Sequence, residues 1–163
     1  MNKYILYDNY AELVLFDKNK KEKGRALIDI DDLELISSYK WYLGKNNYVS
    51  SKCKASNNKL IYLHRLILNP DKGFVIDHIN NNTLDNRKNN LRICTQHQNT
   101  INKKSNTSNT GVFIRAGRWE ARIMYNYKNI YLGRFDTKDE AINARKQAEE
   151  KYFGEFKYRG GNN

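Results

Sequence analysis

The sequence predicts an α+β fold in two parts. A strand-rich N-terminal part ends in a β-β-α unit, and a C-terminal part packs a three-stranded antiparallel sheet on one helix. Short apolar runs bounded by Asn, Asp and Gly indicate strands, and an alanine-rich segment near the C-terminus indicates the helix. Between the parts, residues 102–110 (NKKSNTSNT) contain no large apolar side chain. This polar linker places the boundaries at 1–101, 102–110 and 111–158.

The N-terminal part is predicted to alternate strands with short helices. Strands are expected at YAELVLFD (10–17), NKLIYLHRLIL (58–68), GFVIDHIN (73–80) and NLRICT (90–95). One short helix is expected over 31–43, with Asp31 and Asp32 at its positive end, and another over 95–103, with Thr95 as its N-cap. The β-β-α unit therefore covers about residues 73–103, with an Asn-rich loop between its strands.

The C-terminal part is predicted to place its helix against one side of its sheet. Strands are expected at GVFIR, RWEARIMYN and NIYLGRF, and Thr137 and Glu140 form the sequence pattern of a capping box. Alternation directs Trp119, Ala121 and Ile123 toward the helix. The opposite, outward side is expected to carry Arg118, Glu120, Arg122 and Met124, joined by Arg115 and Tyr131 from the neighbouring strands.

Charge indicates the class of partner. The chain has 29 Lys and Arg against 18 Asp and Glu, a formal net charge of +11. Such an excess favours a polyanion, with nucleic acid first and an anionic membrane surface second. No apolar run approaches the roughly 18 residues that cross a bilayer, and two cysteines are too few for a disulfide scaffold. We therefore expect a cytoplasmic protein that does not insert into a membrane.

The β-β-α unit carries a set of residues suited to phosphodiester hydrolysis. Asp77 and His78 end its first strand, Asn90 begins its second, and Asn99 lies one turn into its helix. Hydrolysis needs a base to activate water and a hard cation to neutralise charge on the departing oxygen. One imidazole with carboxylate and amide oxygens supplies both. Turn chemistry in an Asn-rich chain is the alternative reading of the same residues.

The spacing His78-x11-Asn90-x8-Asn99, preceded by Asp77 and by LHRLILNP (63–70), resembles the HNH nucleases of the homing-endonuclease branch over about residues 60–103. The resemblance implies a ββα-metal unit in which His78 is the general base. It also implies that Asp77 and Asn99 hold one divalent ion and that Asn90 orients the His78 segment. Many HNH proteins have His where this chain has Asn99, and an amide oxygen suits Mg²⁺ or Mn²⁺ better than zinc.

Two groups of residues are candidates for DNA contact. His64 and Arg65 are expected to touch phosphate near the scissile bond, although a structural histidine in a strand explains His64 equally well. The outward arginines of the C-terminal sheet could reach phosphate or guanine edges in the major groove, or could be a solvated charged face.

Residues 111–156 (GVFIR…WEARI…YLGRFDTKDEAINARKQA) also resemble the Apetala/ethylene-response-factor DNA-binding domain. That resemblance implies recognition of duplex DNA by the sheet, with Arg115, Arg118, Arg122 and Tyr131 at contact positions. Phe113 and Met124 occupy positions where that family often has basic residues, so its usual target is not transferred.

These features together predict a metal-dependent HNH endonuclease that cuts double-stranded DNA at a long site. A monomer would nick, and a DNA-assembled dimer would cut both strands. The organisation resembles homing endonucleases encoded by phages or mobile introns in bacterial hosts. The alternative is a non-catalytic, sequence-specific DNA-binding regulator on a nuclease-like scaffold. An RNA nuclease is disfavoured because RNP motifs are absent from the sequence.

Overall fold

The computed structural model describes residues 2–53, 59–102 and 111–158. The described residues up to Asn99 form one compact unit, and those from Thr100 to Tyr158 form a second. The predicted linker lies outside the described residues except for Asn102. The architecture is strand-rich α+β, with small antiparallel sheets and few helices. None of the helices in the described ranges is long and apolar enough to cross a membrane.

The first sheet of the N-terminal unit supplies most of its core. Its antiparallel strands are β1 (Lys3–Leu6), β2 (Tyr10–Phe16) and β3 (Glu22–Asp29), in the order β1-β2-β3. The predicted strand YAELVLFD is confirmed by β2. Its residues Ala11, Leu13 and Leu15 alternate along the strand and are fully buried. They pack in one cluster with residues of β3 and of the following segments, including Ile28 and Trp41.

A short helix and a second sheet follow. The predicted helix over 31–43 is shorter than expected: a 3₁₀ turn (Ile30–Asp32) leads into α1 (Leu33–Ser37), and the chain is extended again at β4 (Tyr42–Leu43). The second sheet has the order β4-β5-β6, with β5 at Val49–Cys53 and β6 at Lys59–Tyr62.

The strand predicted over 58–68 is wrong in its second half. The strand β6 ends at Tyr62, and Leu63–Leu68 form the helix α2. Leu63, Leu66 and Ile67 are spaced as one helical face, and all three contribute to the core cluster. The helix ends because Asn69 adopts a left-handed conformation (φ 41°) and Pro70 follows.

The predicted β-β-α unit is confirmed in its elements. Strands β7 (Val75–His78) and β8 (Leu91–Cys94) pair antiparallel, a 3₁₀ turn (Lys88–Asn90) precedes β8, and α3 covers Gln96–Ile101. Thr95 caps α3 as predicted, because its Oγ1 accepts a hydrogen bond from the Gln98 backbone nitrogen at 3.2 Å.

The second unit consists of a sheet and a helix. Strands β9 (Val112–Arg115), β10 (Arg118–Tyr125) and β11 (Lys128–Phe135) form an antiparallel sheet in the order β11-β10-β9. The helix α4 (Lys138–Phe153) packs on it, and Ala141 and Ala148 are buried with Ala121 and Ile123 of β10. The small alanine side chains let the helix lie close to the sheet, as the alternation predicted.

Replacing the N-cap of α4, Thr137→Ala, is expected to lower the free energy of unfolding by about 1 kcal/mol. The Thr137 hydroxyl accepts from the Glu140 backbone nitrogen, and the Glu140 carboxylate accepts from the Thr137 backbone nitrogen. Alanine removes half of this reciprocal pair. Denaturant unfolding followed by circular dichroism measures the change, and Asn143→Ala on the exposed side of the same helix is the control. Equal stability of the two variants would contradict the capping role.

Candidate active site

Asp77 is held by an arginine that lies directly opposite it in the β7–β8 ladder. The Arg92 Nε and Nη2 groups donate to Asp77 Oδ2 at 2.8 and 2.6 Å. Both side chains are largely buried, at 5% exposure for Asp77 and 12% for Arg92. The guanidinium offsets the cost of burying the carboxylate. Sequence reasoning did not assign Arg92 a role, although antiparallel pairing of two short strands places it across from Asp77.

His78 lies at the end of β7 and packs against the rings of His64 and Tyr48. Its imidazole is 4% exposed. It meets the His64 ring edge to face at 5.3 Å between centroids, and the Tyr48 ring at 5.9 Å. The His78 Nε2 atom lies 3.4 Å from Asn86 Oδ1. Burial lowers the pKa of His78, while the Asn86 hydrogen bond and the Asp77 charge act in the opposite direction. The ring is therefore neutral near pH 7, the form that accepts a proton.

His64 and Arg65 lie in α2 rather than in the predicted strand. His64 is 8% exposed and sits between Tyr62 and His78, and its Nδ1 has no hydrogen-bond partner among the described residues. Burial and the nearby His78 and Arg65 lower the pKa of His64 to about 3. The contact of His64 with phosphate stays a prediction, as does its alternative role as a structural histidine. Arg65 Nη1 donates to the Phe74 carbonyl just before β7, at 3.2 Å.

Asn90 connects the two ends of the loop between β7 and β8 by hydrogen bonds. It is 6% exposed. Its Oδ1 accepts from the Asn80 backbone nitrogen at 3.0 Å, and its Nδ2 donates to the Asp85 carbonyl at 2.8 Å. The Ile79 backbone nitrogen also donates to the Asn90 carbonyl at 2.9 Å. This geometry suits the predicted role of orienting the His78 segment; the role itself stays a prediction.

Two further loop residues, Asp85 and Asn86, were missed by sequence reasoning. Burial acts to raise the pKa of Asp85, but the hydrogen bonds and charge of Arg87 outweigh it and lower that pKa.

The loop is attached to the first sheet, because the backbone nitrogens of Asn86 and Leu27 donate to the carbonyls of Leu27 and Leu84, each at 2.8 Å. Asn86 is fully buried, with its Oδ1 atom 3.4 Å from His78 Nε2. Such contacts between distant segments leave no local pattern in the sequence.

Asn99 is half-buried on α3, one turn after Thr95, whose carbonyl accepts from the Asn99 backbone nitrogen at 3.0 Å. The β-β-α unit thus carries Asp77 and His78 at one strand end, Asn90 across the loop, and Asn99 on the helix that follows β8.

Comparison with known proteins bears on this site. A family model described as HNH endonuclease matches residues 62–101. An uncharacterised HNH endonuclease of Acanthamoeba polyphaga mimivirus is 30% identical over 156 residues, which cover 94% of this chain and 82% of that relative. The chain belongs to the HNH endonuclease family. No solved structure matches the HNH endonuclease described here. The model match ends at residue 101, so the resemblance of residues 111–156 to the Apetala/ethylene-response-factor domain stays a prediction.

The donors of this HNH endonuclease suit a hard divalent cation. HNH nucleases generally use a divalent metal ion. Asp77 and Asn99 offer carboxylate and amide oxygens, and Mg²⁺ takes few protein ligands because it keeps waters and binds substrate phosphate. Within the described ranges, no three His, Cys, Asp or Glu side chains form a cluster that could hold a metal. The assignment of Asp77 and Asn99 as ligands of such an ion stays a prediction.

The second unit of the HNH endonuclease presents an outer face on the side of the sheet away from α4. By strand register this outer face carries Phe113, Arg115, Arg118, Glu120, Arg122, Met124, Tyr131 and Arg134. The four DNA-contact residues predicted for the C-terminal sheet, Arg115, Arg118, Arg122 and Tyr131, thus lie on one surface. Arg118 forms an ion pair with Asp136. The Arg122 guanidinium stacks 5.4 Å from the Phe113 ring centroid and 5.9 Å from that of Tyr131.

Glu120 departs from the expected solvent exposure. It lies on the outer face by register but is only 3% exposed. It is covered by Arg122 and by Arg134, which sequence reasoning did not single out; each donates to one of its carboxylate oxygens. The Arg134 hydrogen bond is the main cause that lowers the pKa of Glu120.

The stability of the HNH endonuclease is expected to fall as pH drops from 6.5 to 5. An unfolded histidine binds a proton near pH 6.5, whereas folded His64 stays neutral down to about pH 3. The stability that neutral His64 contributes is thus present above pH 6.5 and declines on acidification, by roughly 1.4 kcal/mol per pH unit. His64→Phe should flatten this slope, as measured by denaturant unfolding at each pH. The same slope in both proteins would contradict the assignment.

Proposed function

We propose that this protein is a metal-dependent endonuclease that hydrolyses double-stranded DNA at a long recognition site, in the manner of homing endonucleases. The observation that carries the proposal is the buried His78 imidazole, adjacent to Asp77 and within 3.4 Å of Asn86. Its lowered pKa keeps the ring neutral, which is the state a general base needs.

The proposed chemistry assigns one task to each side chain. A water oxygen forms a bond to phosphorus while His78 accepts the proton that the water loses. The bond from phosphorus to one ester oxygen of the DNA backbone then breaks. A divalent ion, when bound, neutralises the charge that develops on that departing oxygen. Asp77 and Asn99 would hold the ion, and Asn90 keeps the loop after His78 in place.

The outer face of the second unit is proposed to bind the duplex. Arg115 and Arg118 lie opposite each other on neighbouring strands, and Arg122 and Tyr131 form another cross-strand pair on the same face. Strands that carry arginines can enter the major groove, where guanidinium groups reach phosphates and guanine edges. The net charge of +11 adds sequence-independent attraction. Arg65, near the start of β7, is proposed to contact phosphate close to the cut.

One such site in each chain would cut one strand. We therefore propose nicking by a monomer, and a double-strand break where two copies assemble on DNA. Mg²⁺ or Mn²⁺ is the proposed cofactor because both donor groups supply oxygen.

Cleavage of a randomised library tests the proposal. Circular plasmids that carry random inserts are incubated with the protein and Mg²⁺, and the new ends are mapped by sequencing. The proposal predicts ends that recur within one consensus and that disappear when His78→Ala is used. A DNA-binding regulator would retain plasmids without cutting them, and an RNA nuclease would cut a matched RNA instead. Either of these outcomes would contradict the proposed function.

A further inference from the structure

A buried carboxylate lies in the middle of the outer face. The Glu120 side chain is 4% exposed, whereas those of Arg122 and Arg134 are 33% and 40% exposed. Arg134 Nη2 donates to Glu120 Oε1 at 2.8 Å, and Arg122 Nη2 is 3.3 Å from Oε2. Each carboxylate oxygen therefore holds a different arginine, and both guanidinium groups lie above the carboxylate at the protein surface.

This arrangement limits the freedom of the two arginines. A free arginine side chain samples many rotamers, and ordering it on a ligand costs free energy. Arg122 is held by Glu120 and also stacks on Phe113 and Tyr131. Arg134 is held by the other oxygen of the same carboxylate, directly across the strand pair. Two positive charges around one negative charge leave the cluster positive, so it still attracts a polyanion.

We propose that Glu120 is a positioning residue that fixes Arg122 and Arg134 for reading neighbouring base pairs of duplex DNA. The inference deepens the proposed function and rests on the outer face being the DNA-binding surface. A guanidinium group reads a guanine edge through two hydrogen bonds of defined geometry, whereas contacts to phosphate carry no direct sequence information. A carboxylate between the arginines also repels phosphate, which disfavours contacts to the backbone alone. Glu120 therefore contributes to sequence selectivity more than to overall affinity.

The test uses the full chain and compares selected with scrambled DNA. The wild-type protein first selects its preferred duplex from a randomised library, in EDTA so that no cutting occurs. Dissociation constants for the selected and a scrambled duplex are then measured for wild type, Glu120→Gln and Glu120→Asp. We expect the ratio of the two constants to fall about tenfold in both variants. In Glu120→Gln, binding to scrambled DNA should be unchanged or tighter.

Glu150→Gln is the matched control. It makes the same change of charge on α4, where Glu150 pairs with Lys157, on the side of the sheet away from the outer face. Its selectivity ratio should equal that of wild type. Glu120→Asp separates position from charge, because it keeps the carboxylate but shortens its reach by one methylene. Either Glu120 variant decides the question if the other fails to fold by circular dichroism.

The outcomes distinguish the inference from the function on which it rests. A folded Glu120 variant with wild-type selectivity would overturn the inference alone, provided that the double variant Arg122→Ala, Arg134→Ala loses selectivity. If that double variant binds selected and scrambled DNA as wild type does, the outer face does not read DNA. In that case both the inference and the proposed DNA-binding role of the outer face are wrong.

Discussion

Replacing His78 with alanine is expected to slow DNA cleavage by about 10²–10⁴-fold, the usual contribution of a general base. Duplex binding should be nearly unchanged, because His78 is buried at the end of β7 and the proposed binding surface is in the other unit. Relaxation of supercoiled plasmid measures cleavage, and a gel-shift titration in EDTA measures binding.

His97→Ala is the control for the loss of an imidazole in the same unit. His97 lies on α3, whereas His78 ends β7. It should keep cleavage far above that of His78→Ala. Equal cleavage by His78→Ala and wild type would remove His78 from the chemistry. Loss of binding together with cleavage would show instead that the alanine variant is misfolded.

Replacing Asp77 with asparagine is expected to have two large and separable effects. Cleavage should be lost, because the amide is a much weaker ligand for a hard cation than the carboxylate. The free energy of unfolding should fall by about 3 kcal/mol, because the Arg92 charge stays largely buried without its carboxylate.

The double variant Asp77→Asn, Arg92→Leu separates these effects. Removing the Arg92 guanidinium, which no longer faces a carboxylate at position 77, should restore most of the lost stability, since an apolar side chain often replaces a buried ion pair at little cost. Cleavage should remain absent. Recovery of cleavage in the double variant would show that Asp77 acts only through stability, which contradicts its role as a metal ligand.

Local patterns in the sequence were sufficient to predict the β-β-α unit. Short apolar runs bounded by Asn and Gly marked β7 and β8, and Thr95 marked the start of α3. The second half of the strand predicted over 58–68 was wrong because LHRLIL is apolar enough for either structure. Two features distinguish a helix from a strand at these residues. One is the left-handed Asn69 followed by Pro70, and the other is the burial of Leu63 against residues distant in sequence.

The partners of the site residues were harder to predict. Spacing predicted His78 and Asp77 as site residues, but the contacts of Asn86 and Arg92 with them depend on loop folding and on strand register. Alternation placed Glu120 on the correct face, yet could not predict its burial, because that depends on two arginines, one of them from the neighbouring strand. Contacts made by side chains across strands leave little trace in a single sequence.

Dependence of cleavage on divalent cation, measured together with Asn99→Ala, tests the central claim most directly. Rates of plasmid cleavage are measured over a series of Mg²⁺ concentrations, with an EDTA control and with binding followed in parallel. We predict no cleavage in EDTA, saturable activation by Mg²⁺ in wild type, and a shift to higher Mg²⁺ concentration in Asn99→Ala. Cleavage that persists in EDTA, or an unchanged Mg²⁺ dependence in Asn99→Ala, would contradict the assignment of this site.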